Sequence, residues 1–175
     1  MAAASVVATE AVESLVTQSE GSEQEIQCVV VPVADQSLLL PNVCIAEILP
    51  WRRIKAIPDA PTWFSGVLGW RGEMLPVVDF AMLCAEAGGD AEAATHRGRC
   101  LIVMNRSSAS WGASFYAMIA NGLPRLVAVA AEDLDGEANG NTLYEARRVQ
   151  LGTEWTVIPD LAQIEQAVQT VGFGS

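Results

Sequence analysis

The chain has 175 residues, with 10 Lys and Arg against 21 Asp and Glu, a single His and a formal charge of −11. Too few cations are present to displace phosphate counterions, and no polybasic run exists, which excludes non-specific nucleic-acid binding and attraction to anionic lipid. Its length suits one domain, or two small lobes on a shared core, and its apolar fraction of 51% is that of a globular chain.

Residues 1–25 hold five acids and no base, so the remainder carries only −6. Ala8, Ala11, Val12, Leu15 and Val16 make a weak helical stripe there. A flexible acidic leader over 1–24 is the favoured reading, and a helix that forms on a partner is the sharper one. From Ile26 the texture changes to short β-like runs separated by turn residues. Ile26–Val33 reads as a strand whose Pro32 marks an edge or an end. Leu38–Leu40 follows the polar Asp35-Gln36-Ser37 and completes a hairpin. Val43–Leu49 is a strand or a short helical turn, and Pro50 to Pro58 is extended. Asp59 is expected to cap a short helix through Pro61, Trp63 and Phe64. Gly66 to Gly72 then turns into a strand over Glu73–Val78, and Asp79 caps a helix through Phe80, Leu83 and Cys84.

Ala85–Gly98 is the best internal boundary. Beyond it, Cys100–Asn105 and Ala113–Ala120 are strands joined by a turn at 107–110, and Leu126–Ala131 is a third. Glu132–Thr142 is expected to be an acidic, glycine-bearing loop. Arg147–Leu151 and Trp155–Ile158 flank the Gly152-Thr153-Glu154 turn. Asp160, with Gln163 three residues on, has the form of a capping box, and Leu161, Ile164 and Val168 give the last helix its apolar stripe. Many short strands at this spacing argue for a mainly β fold of small barrels. The expected organisation is the leader, one domain of two β-barrel lobes over 25–170, and a tail over 171–175. Trp63 and Trp155 are assigned to the core.

The chemistry of catalysis is missing. Cys28, Cys44, Cys84 and Cys100 lie in apolar runs without a Cys-x-x-Cys pair, so they read as buried thiols and not as metal ligands. His96 sits in a polar stretch with no nucleophile elbow for it to serve. Lys55 is the sole lysine, and no phosphate-binding Gly-Lys-[Ser/Thr] loop exists. No catalytic residue, metal or cofactor is therefore expected. The longest uncharged stretch, Ser107 to Pro124, is too polar to span a bilayer. The N-terminus has no secretory pattern either, which makes the cytoplasm the default compartment.

Between Glu47 and Asp79 the sequence ceases to be generic. It reads Glu47-Ile48, then Pro58-Asp59-Ala60-Pro61-Thr62-Trp63-Phe64-Ser65-Gly66-Val67, then Arg71-Gly72-Glu73-Met74-Leu75-Pro76-Val77-Val78-Asp79. This ordered string resembles the CheW-like family of bacterial chemosensory coupling proteins, and the likeness extends more weakly over 25–170. Gly69-Trp70-Arg71-Gly72 stands where Asn-Leu-Arg-Gly is common, and it resembles members from type IV pilus (twitching) systems. Asn121-Gly122 stands where the family carries Asp-Gly. The 132–152 segment looks shorter than in flagellar-type members.

The resemblance implies two intertwined five-stranded SH3-like barrels, with short helices and a C-terminal helix. It also implies a non-enzymatic adaptor whose partners are a chemoreceptor's cytoplasmic tip and the regulatory domain of a CheA-type histidine kinase. Arg71 is the first choice for a partner contact, against an internal salt bridge to Glu47; both can hold. Ile45 and Glu47 share a face if their stretch is extended, and the family places them near the kinase. Trp70 is an interface anchor if exposed and a core plug if buried. Gly66 and Gly72 belong to the same partner-binding set, although their own chemistry suggests backbone devices. Pro58, Pro61, Pro76, Asp79, Asn121 and Gly122 form the structural part of the motif. Two other classes of function stand beside this one: a small-molecule sensor using a cleft between barrels, and an anti-adaptor that competes for the kinase. Arg52, Arg53, Lys55 and Arg71 concentrate within twenty residues, and an exposed window there would gather this acidic protein's cations where a partner docks.

Overall fold

The computed structural model describes residues 25–89, 97–107 and 112–172. The leader, His96, residues 108–110 of the expected turn and 173–175 of the tail lie outside the described residues.

The valine- and leucine-rich runs pair into two mainly antiparallel sheets. Strands β1 (Ile26–Val33) and β2 (Gln36–Pro41) form the first hairpin, and β3 (Ile45–Pro50), β4 (Phe64–Trp70) and β5 (Glu73–Val78) follow. After helix α1 (Phe80–Glu86) come β6 (Cys100–Asn105), β7 (Phe115–Ala120), β8 (Arg125–Val129) and β9 (Leu134–Asn139). Strands β10 (Glu145–Leu151) and β11 (Glu154–Pro159) lead into helix α2 (Leu161–Thr170). One sheet has the order β3-β6-β7-β5-β4 and the other β8-β1-β2-β11-β10-β9. The chain begins in the second sheet, builds the whole of the first and returns, so the two lobes are intertwined.

Alternation along the strands creates three apolar clusters. Leu49, Leu68, Trp70, Leu75, Leu101 and Val103 fill the five-stranded lobe. Cys28, Val30, Leu39, Val129, Val149 and Ile158 fill the six-stranded one. The opposite faces of both sheets meet in the largest cluster, where Val31, Leu38, Ile102, Tyr116 and Met118 pack with both helices. The helices are anchored as their sequences require: Asp79 Oδ1 accepts the Met82 N–H at 3.1 Å and Asp160 Oδ1 that of Gln163 at 3.1 Å. Leu161, Ile164 and Val168 are the buried stripe of α2.

Four expectations need correction. Asp59 caps nothing: its φ is +61°, outside the extended region a helix cap needs, and the chain turns through 61–63 straight into β4. Gly66 to Trp70 is strand, so the turn is confined to Arg71 and Gly72. The acidic 132–142 segment contains β9, which pairs with β10 and joins Glu137 to Arg147, giving that sheet a sixth strand. Trp155 is 50% exposed. It has the parity of the buried Val157 but sits near the start of β11, outside the shared core's cluster and at its rim.

Candidate partner-binding site

Register Trp70↔Glu73 leaves Arg71 and Gly72 as a two-residue hairpin loop. Both have positive φ, +48° and +79°, as a type I′ turn requires. Glycine does this freely, whereas an L-residue such as arginine is disfavoured by roughly 1–2 kcal/mol. Two contacts hold the arginine in place. Its guanidinium carbon lies 4.7 Å from the centroid of the Trp70 ring, and its Nη2 lies 3.2 Å from Glu47 Oε2. Glu47 Oε2 also accepts the Trp70 indole N–H at 2.7 Å. Trp70 itself is only 6% exposed and meets Phe115 edge-on at 4.9 Å. It is the core plug of the two alternatives, not an exposed anchor. The Arg71 side chain remains 69% exposed, so a cation pinned at two points is presented to solvent. The internal salt bridge is present and leaves the rest of the guanidinium open.

Ile45 and Glu47 do not share a face. A bulge between them breaks the β3–β6 register, pairing Ile45 with Met104 but Glu47 with Val103. Met104 points into the shared core and Val103 into the five-stranded lobe. Ile45 therefore packs on the shared core, while Glu47 lies on the opposite face, over the five-stranded lobe's own core, and reaches Trp70. The bulge is what aims Glu47 at the β4–β5 turn.

The remaining motif residues build the platform. After β3 the chain crosses to the far edge of the same sheet, where Lys55 and Val67 exchange two backbone hydrogen bonds of 2.9 Å each. This bridge links the two edge strands β3 and β4 and closes the lobe. Gly66 permits it: its φ is +134°, and a Cβ there would lie 2.2 Å from the Lys55 carbonyl oxygen. Pro58 is exposed and Pro61 half-buried in the segment leading to β4, and Pro76 is buried in β5 opposite Val67. Asn121 ties the lobes together. Its Oδ1 accepts the N–H of Ala34 at 2.8 Å and its own N–H donates to the Pro32 carbonyl at 2.9 Å. Ala34 has φ +52° in the β1–β2 loop, and Gly122 lies so close that a Cβ would meet the Pro32 ring at 2.9 Å.

One feature escaped the sequence. An open groove of about 610 Å³ runs beside α2, lined among others by Asp59, Trp63, Glu86, Tyr144 and Gln163. Its walls come from four separated segments, so no local pattern marks it. Burial, with smaller contributions from Glu86 and Cys84, raises the Tyr144 phenol above its ordinary value. The cysteines are all free thiols. Burial pushes Cys28 and Cys84 up to about 11, which keeps them protonated and poor nucleophiles. Among the described residues no group of His, Cys, Asp and Glu is placed to hold a metal ion, and no helix is long and apolar enough to cross a membrane.

A family model described as CheW-like domain matches residues 27–169. Among solved structures, the fold is similar to the crystal structure of scaffolding protein TtCheW from Thermoanaerobacter tengcongensis. The TM-score is 0.60 at 15% identity, over 78% of this chain and 89% of that chain. No curated protein matches the sequence significantly. The two sheets correspond to the two SH3-like barrels of that fold. The family match runs from β1 through almost all of α2 and takes in both lobes, the Glu47–Arg71 turn and the Asn121 tie, so this chain belongs to the CheW-like domain family.

Proposed function

We propose that the chain is a non-enzymatic, cytoplasmic coupling protein of a chemosensory array. It holds the regulatory domain of a CheA-type histidine kinase through one barrel surface and a chemoreceptor's cytoplasmic tip through another. Family membership and the word "scaffolding" attached to the similar structure support a binding role. The observation that carries the reading is the Arg71 guanidinium, exposed yet fixed by Glu47 and Trp70. A planar cation held in that way can take a carboxylate or carbonyl with little further loss of side-chain entropy. Residues Ile45, Glu47, Gly66, Trp70, Arg71 and Gly72 divide the task. Arg71 makes the contact, Glu47, Trp70 and Gly72 position it, and Ile45 and Gly66 hold the strands beneath. The Gly69-Trp70-Arg71-Gly72 turn favours a type IV pilus pathway. Many weak contacts summed across an array suit this mode of binding.

Co-sedimentation tests the reading. Receptor cytoplasmic fragments, a CheA-type kinase and this chain are expected to pellet together, with the kinase left behind when the chain is omitted. Binding to the kinase without any recruitment to receptor fragments would replace the adaptor by the competing anti-adaptor. Binding to neither would end the proposal.

A further inference from the structure

The cations divide sharply by their surroundings. Arg71, Arg125, Arg147 and Arg148 face Glu47, Glu154, Glu137 and Glu145 respectively, and Arg106 is also engaged. Arg52, Arg53, Lys55, Arg97 and Arg99 are exposed, and none has an ion pair among the described residues. The fold gathers these five. Pro50 pairs with Cys100 at the end of the β3–β6 ladder, so 51–53 and 97–99 leave from the same end. Trp51 lies against Gly98, where a Cβ would sit 2.0 Å from the indole ring, and Lys55 is fixed by its bridge to Val67. Half of the ten cations in a chain of charge −11 thus form one arc. Partly exposed Trp51 and Ile57 are interspersed among them, and no acid occurs in 51–58 or 97–99. Like charges held together in this way repel, and an anionic occupant relieves them.

We propose that this arc is the docking surface for the chain's own acidic segment, residues 1–24. That segment carries Glu10, Glu13, Glu20 and Glu23 and no base, with Val12, Leu15 and Val16 among them. Its charge and its apolar residues complement the cations and the Trp51 and Ile57 side chains. Reach is ample: 24 residues span at most roughly 80 Å, against a radius of gyration of roughly 15 Å for a domain of this size. Tethering supplies an effective concentration of the order of millimolar, so weak attraction suffices. The groove beside α2 is the wrong host, because Asp59 and Glu86 line it. The arc begins where β3 ends, at Pro50. The proposal is independent of which kinase or receptor is bound.

Lys55 is the only lysine in the chain, which makes carbodiimide coupling a direct probe. In dilute full-length protein at low salt, the Lys55 amine is expected to form an amide with Glu10, Glu13, Glu20 or Glu23 of the same chain, with loss of one water. The yield should fall steeply at roughly 0.5 M salt, where exposed charges are screened within a few ångströms. Coupling only to residues 25–172, only to a second copy, or not at all would overturn the proposal. A second measurement guards against a missed cross-link. In the full-length variant carrying Glu10→Gln, Glu13→Gln, Glu20→Gln and Glu23→Gln, backbone amides at 51–57 and 97–99 should exchange roughly threefold faster or more. Unchanged exchange there would equally overturn it.

Discussion

Glu47 accepts the indole N–H of Trp70 at 2.7 Å through the same oxygen that faces Arg71. One carboxylate oxygen therefore satisfies a buried donor and orients an exposed cation, coupling the interior of the five-stranded lobe to its surface. Glu47→Ala leaves the indole N–H of a largely buried ring unpaired and is expected to destabilise the fold by about 1–3 kcal/mol. Glu47→Gln keeps an acceptor while removing the charge, and should lose no more than about 1 kcal/mol. Urea midpoints of the two variants check the difference.

Arg71 sits in left-handed backbone at φ +48°, so its two replacements should part company. Arg71→Gly relieves the backbone and loses an exposed ion pair, leaving stability within about 1 kcal/mol of wild type or slightly above it. Arg71→Ala keeps the unfavourable φ without the contacts that offset it, and should be the less stable of the two by about 1 kcal/mol. Chemical denaturation of both proteins reads the order.

Gly66 and Gly72 both have positive φ, but only Gly66 faces the Lys55 carbonyl. Gly66→Ala should therefore cost about 3–4 kcal/mol, because the bridge that closes the lobe must open. Gly72→Ala meets nothing within 4 Å and should cost about 1–2 kcal/mol from backbone strain alone. Thermal unfolding of the pair, or loss of soluble Gly66→Ala protein, tests the contrast.

Cys28 and Cys84 are held at about 11, above the ordinary thiol value of 9.0. The folded state binds these protons more tightly than the unfolded chain does. Their contribution is complete below pH 9 and is lost as the pH climbs through 11, at up to about 1.4 kcal/mol per pH unit for each thiol. Unfolding free energies should fall as the pH rises from 8 to 11, and Cys28→Ser should make the slope shallower without abolishing it, because burial raises Cys44 and Cys100 as well.

The legible parts of this fold are those governed by local rules. Asp79 and Asp160 announce their helices because a cap is a contact between residues three apart. The α2 stripe and the valine-rich β1 follow from periodicity, whereas β4 reads as part of a longer turn because Gly66 and Gly69 mask a strand that its pairing with β5 creates. What stayed hidden depends on distant partners. The bulge that sends Ile45 and Glu47 to opposite faces arises from pairing with β6, about sixty residues further along the chain. Strand β9 reads as loop because its pairing with β10 and the Glu137–Arg147 contact hold it, not its own propensity. Trp155 looks like core by composition, yet its place at the strand start leaves it at the rim. At the site, the Glu47–Arg71 salt bridge was foreseeable from charge, whereas the Trp70 hydrogen bond that fixes Glu47 required the curvature of the whole lobe.

An Arg71 presented for a partner and not retained for stability makes binding and folding respond differently to its loss. Calorimetric titration of a CheA-type regulatory domain into wild type and Arg71→Gly separates the two, because the glycine variant removes the cation without straining the turn. Wild type should bind, and Arg71→Gly should bind at least roughly tenfold more weakly with folding stability within about 1 kcal/mol of wild type. Equal affinity for the two proteins, or no binding by the wild type, would contradict that role for Arg71.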